Sequence, residues 1–127
     1  MTHRPRITGL DGIAAYVTDF PAACAFYEDV LGLEKASDLG THGRVYKLDG
    51  EQQLLVCGGK KTPAPGDRSA AHATFCLRTA SIPELFADLK ARGVSVHPDE
   101  PMALNDEDAW FSFLDPSGNV IEVVGPK

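Results

Sequence analysis

The stretch Phe113-Leu114-Asp115-Pro116-Ser117-Gly118-Asn119-Val120-Ile121-Glu122-Val123-Val124 holds two strand segments and the tight turn between them. Asp115 and Pro116 open the turn, and Gly118-Asn119 supply residues that tolerate φ > 0. Val120 to Val124 is a β-branched run interrupted only by Glu122. A carboxylate buried there without a partner costs several kcal/mol, of the order of ~2–7 for a polar group and more for a charge, or its pKa rises. Glu122 therefore either turns to solvent at a sheet edge or serves a polar site. Period 2 puts it on one face with Val120 and Val124, both apolar, which favours the site.

Working outward, the same grammar occurs twice. Ile13 to Val17 reads as a strand, Asp19 as an N-cap and Pro21 as a first-turn residue. Ala23, Phe26, Tyr27, Val30 and Leu31 then recur at helical spacing over Ala22 to Leu31, and Gly32 closes the helix. A loop follows, then Arg44 to Leu48, an Asp49-Gly50 turn and Gln53 to Cys57, a hairpin. Gly58 to Asp67 is linker by composition. In the second half His72 to Leu77 is a strand candidate. Ser81 and Glu84 form a capping box with Pro83 in the first turn, Leu85, Phe86 and Leu89 make the apolar stripe, and Gly93 stops the helix. Val94 to Val96 is a short strand, a polar loop intervenes, and Trp110 leads into the closing turn. Gly12 and His72, like Phe26 and Phe86, stand 60 residues apart. A repeat of this period predicts two copies of one supersecondary unit around a shared core. The expected division is a first module of about residues 7–57, a linker of about 58–70 and a second module of about 71–124.

The 127 residues suit one domain with a core of its own. A net charge of −6 argues against a nucleic-acid surface and against anionic membranes. No apolar run is long enough for a bilayer, and no apolar leader follows Met1. Cys24, Cys57 and Cys76 are odd in number and lack CxxC spacing, which points to free thiols in a reducing cytoplasm. The acidic Asn105 to Asp108 cluster reads as a solvated loop.

Tyr16-Val17-Thr18-Asp19, Ala25 to Leu33 (AFYEDVLGL), His72-Ala73-Thr74-Phe75 and Phe113 to Glu122 together resemble the vicinal oxygen chelate superfamily. That is the group of glyoxalases, bleomycin-resistance proteins and extradiol dioxygenases. The resemblance implies an α+β domain of two βαβββ modules, each curling its strands into half of an open, barrel-like sheet around a ligand cavity. It also implies homodimers. In metal-dependent members up to four ligands come from the first and last strand of each module. The second module offers His72 and Glu122, which suit iron, zinc, manganese or nickel. In the first module the matching positions are Gly12 and Leu54, or Leu55 after a slip of one residue, and none of these is a ligand.

Two readings of His72 and Glu122 follow: a reduced or substrate-completed site for one divalent metal ion, or a metal-free hydrogen-bonded pair able to move protons. Of the other histidines, His3 and His97 lie at no ligand position, and His42, in a Gly-rich loop, reads as exposed. Tyr16, Thr74 and Trp110 are candidate ligand-binding walls, by alternation for the first two and as the sole tryptophan for the third. His72, Thr74 and Cys76 are expected on one strand face. Cys76 lies about 13 Å along the strand from His72, too far for a dyad, and reads as a small apolar residue. The expected function is that of a small-molecule enzyme of the glyoxalase or dioxygenase kind, not a standard glyoxalase I, with an incomplete metal site. The alternatives are a metal-free drug- or metabolite-sequestering protein, which Gly12 and Leu54 favour, and a silent small-molecule sensor.

Overall fold

A computed structural model describes residues 12–58 and 73–127. The order of elements is β1 (Ile13–Tyr16), α1 (Phe20–Ala25), β2 (Glu34–Asp38), β3 (Gly43–Lys47), β4 (Gln53–Cys57), β5 (Ala73–Arg78), α2 (Ile82–Ala91), β6 (Val96–Ala103), β7 (Asp108–Leu114) and β8 (Val120–Pro126). The strands form two sheets with the same internal plan, β1-β4-β3-β2 and β5-β8-β7-β6. In each sheet the first and last strands of the module pair in parallel and the others antiparallel. The repeat in the sequence is thus a repeat of topology, an α+β arrangement of two βαβββ units. The sheets are not closed into a barrel.

The first helix starts where its cap requires, since Asp19 accepts from the Ala22 N–H at 3.0 Å. It is longer in reading than in α-geometry. From Phe26 to Val30 the chain widens into a π-helical turn, with Leu31 N–H donating to the Phe26 carbonyl at 3.0 Å. The second helix is capped by Ser81, which accepts from the Glu84 N–H at 3.3 Å.

Two strands escape the sequence reading. The segment expected as a loop after Gly32 contains β2, Glu-Lys-Ala-Ser-Asp, exposed throughout and paired along β3. An edge strand needs no buried face, so it carries no alternation to read. Likewise Val94-Ser95-Val96 was expected to give way to a polar loop, but β6 runs from Val96 to Ala103. Its Pro98 and Pro101 are tolerated because β6 is an edge strand, and its pairing with β7 is irregular between His97 and Met102. β7 also starts two residues earlier than Trp110, at Asp108.

One core joins both modules. Tyr46 stacks on Tyr27, Tyr27 meets Phe26, Phe26 meets Phe113, Phe113 meets Phe111 and Phe111 meets Phe86, with ring centroids 5.1–6.2 Å apart. The series runs from β3 through the π-helical turn after α1 and β7 to α2. Such contacts add about 0.5–1.5 kcal/mol each beyond the burial of the rings.

The closing turn of the second module bolts the two halves together. Gly118 adopts φ 87°, a region closed to most side chains, while Asn119 keeps a negative φ, contrary to its expected role. Asn119 instead donates from Nδ2 to the Tyr16 carbonyl at 2.9 Å. Ser117 Oγ accepts from the Thr18 N–H at 3.1 Å.

Candidate functional site

Each sheet has one face toward the helices and one away from them. In β8, Ile121 and Val123 are buried beneath α2, whereas Val120, Glu122 and Val124 are half-buried on the opposite face. The cross-strand register turns this alternation into rows. Cys76 lies beside Glu122, Glu122 beside Ser112, and Ser112 beside His97. The next row is Arg78, Val124, Trp110 and Met102. The helix-distal face of the second sheet is therefore a polar row next to a row with an indole, two apolar side chains and a guanidinium.

Glu122 thus occupies the helix-distal face, as period 2 requires. Trp110 is half-buried on that same face and not in the core, where packing alone would have put it. Ser112 is buried and donates from Oγ to the His97 carbonyl at 3.2 Å. Cys76, expected as a small apolar residue, is exposed on this face. Burial of its sulfur and, secondarily, the neighbouring Glu122 charge push its thiol above the ordinary value. A thiol so placed is protonated at neutral pH and is a poor nucleophile.

The equivalent face of the first sheet carries Ala14 and Tyr16 on β1, Leu55 and Cys57 on β4, and Gly43 and Val45 on β3. The expected last-strand position, Leu54, is instead a core residue, 1% exposed, and Leu55 takes the place on the site face. One residue of slip decides which side of a strand a residue serves. A side chain at Gly12 would need its neighbours to shift by a few tenths of an ångström. A Cβ there would lie 3.1 Å from Leu55 Cδ1 and 3.3 Å from the Gln53 carbonyl oxygen. Tyr16 stands on the site face beside Cys57 and is 49% exposed.

His72 lies outside the described residues, as does most of the expected linker, and the same holds for the Thr74 side chain. The pairing of β5 with β8 is irregular between Ala73 and Phe75, so counting by twos from Cys76 no longer assigns a face to Thr74 or His72. The expected common face of His72, Thr74 and Cys76 does not follow from the strand. Among the described residues no group of three His, Cys, Asp or Glu side chains is arranged to hold a metal ion. Of the expected ligand positions that are described, only Glu122 bears a donor side chain.

Sequence reasoning missed His97 and Arg78 as residues of this face. No local signal marks His97, because its strand was hidden by prolines. Arg78 was legible in principle, at two residues beyond Cys76 on the same strand. His42 is exposed and bonded to Thr41 at 2.9 Å, as expected of a loop histidine. The acidic cluster is a turn in which the Asn105 side chain accepts from the Glu107 and Asp108 N–H groups at 2.8 Å.

A separate cavity of about 480 Å³ lies on the helix side, between α2 and β6, lined by residues that include Phe86, Pro101, Ala103 and Lys127. No described helix is long and apolar enough to cross a membrane.

Solved structures of the same fold span nearly the whole chain. Lactoylglutathione lyase from Agrobacterium tumefaciens is 24% identical, with 95% of this chain and 96% of that chain covered at a TM-score of 0.70. The fosfomycin resistance protein FosX from Listeria monocytogenes is 19% identical, with 96% of each chain covered at a TM-score of 0.72. A mutant of FosX, solved with Mn(II) and a dihydroxypropylphosphonic acid, is 20% identical over 93% of this chain and 90% of that one, at 0.69. Such identities establish likeness of fold. No curated protein matches the chain in sequence. The sequence profile of one family matches residues 9–123, nearly the whole of both modules. The chain belongs to the Glyoxalase/Bleomycin resistance protein/Dioxygenase superfamily.

Proposed function

We propose that this protein is a small-molecule enzyme of the glyoxalase kind that binds an oxygenated substrate on the helix-distal faces of its sheets, with Glu122 as the group that exchanges a proton with it. The observation carrying this reading is the position of Glu122: a half-buried carboxylate between Val120 and Val124, beside Ser112 and Cys76, on a face that also presents Trp110. A carboxylate flanked by apolar side chains is a suitable base or acid for a proton next to a substrate oxygen. His72 is the second catalytic group of this proposal, and Tyr16, Thr74 and Trp110 are its ligand-binding walls. Pairing of two copies in a cytoplasmic homodimer belongs to the same reading.

A resident divalent ion would be held by His72 and Glu122. The described donors fall short of a cage, and a side chain at Gly12 would press on Leu55 Cδ1 and the Gln53 carbonyl. A FosX mutant of this fold was solved with Mn(II) bound. The chemistry proposed for Glu122 is proton transfer.

A second reading, sequestration of a drug or metabolite, is favoured by the apolar Gly12, Ala14, Val45 and Leu55 on the face of the first sheet. Elemental analysis of protein purified without chelator, repeated on His72→Ala and Glu122→Gln, separates these cases. Metal-free wild type that turns over substrate, with turnover lost in Glu122→Gln, supports the acid–base reading. Stoichiometric metal lost in both variants replaces it with a metal centre. Retained ligand affinity without turnover in any form supports sequestration.

A further inference from the structure

Taking the helix-distal face of the second sheet as the ligand site, we infer that Arg78 recognises the carboxylate of a single-ring aromatic acid whose ring lies against Trp110. Arg78 and Trp110 belong to one row across the sheet, with Val124 between them and Met102 beyond. Two strand spacings separate their backbones, about 9.6 Å. The guanidinium spans part of that gap, because Arg78 Nη2 lies 3.7 Å from Asp108 Oδ1. Asp108 is two residues from Trp110 on the same strand and the same face. The side chain of Arg78 therefore reaches across β8 to the strand that carries Trp110, meeting it one row beyond the indole on the side away from Glu122.

The contact with Asp108 is a weak competitor. It is long, engages a single nitrogen, and involves an arginine side chain that is 67% exposed, so it contributes little. The guanidinium fork matches a planar carboxylate bidentately, which a point charge does not. Trp110, between Val124 and Met102, offers a half-buried aromatic platform for a flat ring. In the adjoining row Glu122 meets the side of the ring away from Arg78. Its carboxylate is an acceptor suited to a ring hydroxyl. Arg78 is the one permanent cation on this face among the described residues, beside the Asp108 and Glu122 carboxylates, and is therefore the group there that would attract a ligand carboxylate.

The test uses para-hydroxybenzoate and its neutral amide, para-hydroxybenzamide, which have nearly the same shape. Each is titrated calorimetrically into the full chain, while the emission of Trp110, the only tryptophan, reports where it binds. The acid is expected to bind at least about tenfold more tightly than the amide, the scale of one charge-assisted hydrogen bond. Arg78→Gln should abolish that preference and Arg78→Lys restore part of it. Asp108→Asn should strengthen the acid alone. Circular dichroism checks that each variant is folded. Equal binding of acid and amide, or a preference that survives in Arg78→Gln, overturns the role of Arg78 and leaves the ligand site standing. Absence of binding by both probes overturns the site as well. If Trp110 emission then changes with protein concentration, the face belongs to a second copy of the chain.

Discussion

The hydroxyl of Tyr27 donates to Asp115 Oδ2 at 2.9 Å across 88 residues of sequence, in a buried contact between α1's extension and the closing turn of the second module. Asp115 is 3% exposed and accepts three further hydrogen bonds, from the N–H groups of Ser117 and Asn119 and from Asn119 Nδ2, each at 2.9 Å. Burial, the Asp115 charge and this hydrogen bond all push the Tyr27 hydroxyl above its ordinary titration range, so it remains a donor.

Removing the donor leaves a buried carboxylate one partner short. Tyr27→Phe should cost about 1.5–3 kcal/mol, the range for a hydrogen bond to a charged acceptor. Asp115→Ala strands several donors at once and should cost more, roughly 3–5 kcal/mol. Urea unfolding measures both. A double variant much less destabilised than the sum would report the direct coupling; additive losses would count against it.

Glu28 supplies the acid sensitivity of the first module. Its carboxylate accepts from Tyr46 at 2.8 Å and from Arg44 at 2.6 Å, and these two hydrogen bonds hold its pKa below the ordinary 4.5. A depressed carboxyl contributes stability that is complete above the unfolded value and lost as pH falls through the folded one. The stability gap between wild type and Glu28→Gln should be constant near neutrality and close progressively below about pH 4.5. Urea midpoints measured down to about pH 3 check this, and a gap that widens in acid contradicts it.

Cys76 reports on Glu122. Neutralising the carboxylate in Glu122→Gln removes one of the two causes that raise the thiol. More thiolate is then present at about pH 8, and alkylation of Cys76 by iodoacetamide should accelerate roughly two- to fivefold. Peptide mass spectrometry distinguishes Cys76 from buried Cys24 and half-buried Cys57. An unchanged rate would mean that the two side chains do not sense each other.

The crowding at Gly12 predicts the fate of the simplest attempt to rebuild a metal cage. Gly12→His should destabilise the fold by about 1–3 kcal/mol through overpacking and gain no metal. Adding Leu55→Ala removes the nearest contact and should recover part of the loss in thermal unfolding. Metal binding by the single variant would refute this account.

The periodic signals in the chain determined much by themselves. Apolar alternation, the Asp19 and Ser81 caps, and the 60-residue repeat were sufficient for two copies of one strand-helix-strand unit in an α+β domain, because each reflects a buried face or a satisfied helix end; the full βαβββ order came from the family resemblance. Period 2 also put Glu122 on its proper face. Strands β2 and β6 were illegible because edge strands bury no face and accept proline. Tertiary structure alone decided which residues meet. Asp115 reads as a turn former, yet its carboxylate is the hub between modules. Leu54 and Leu55 differ by one position, and only strand register could say which serves the core. Cys76 and Arg78 share one strand, but that strand, His97, Trp110 and Glu122 are separated in the chain, and hydrogen-bond register between strands is what aligns them. Local propensity specifies elements; the pairing of distant strands, paid in loop-closure entropy and returned in burial, specifies the site.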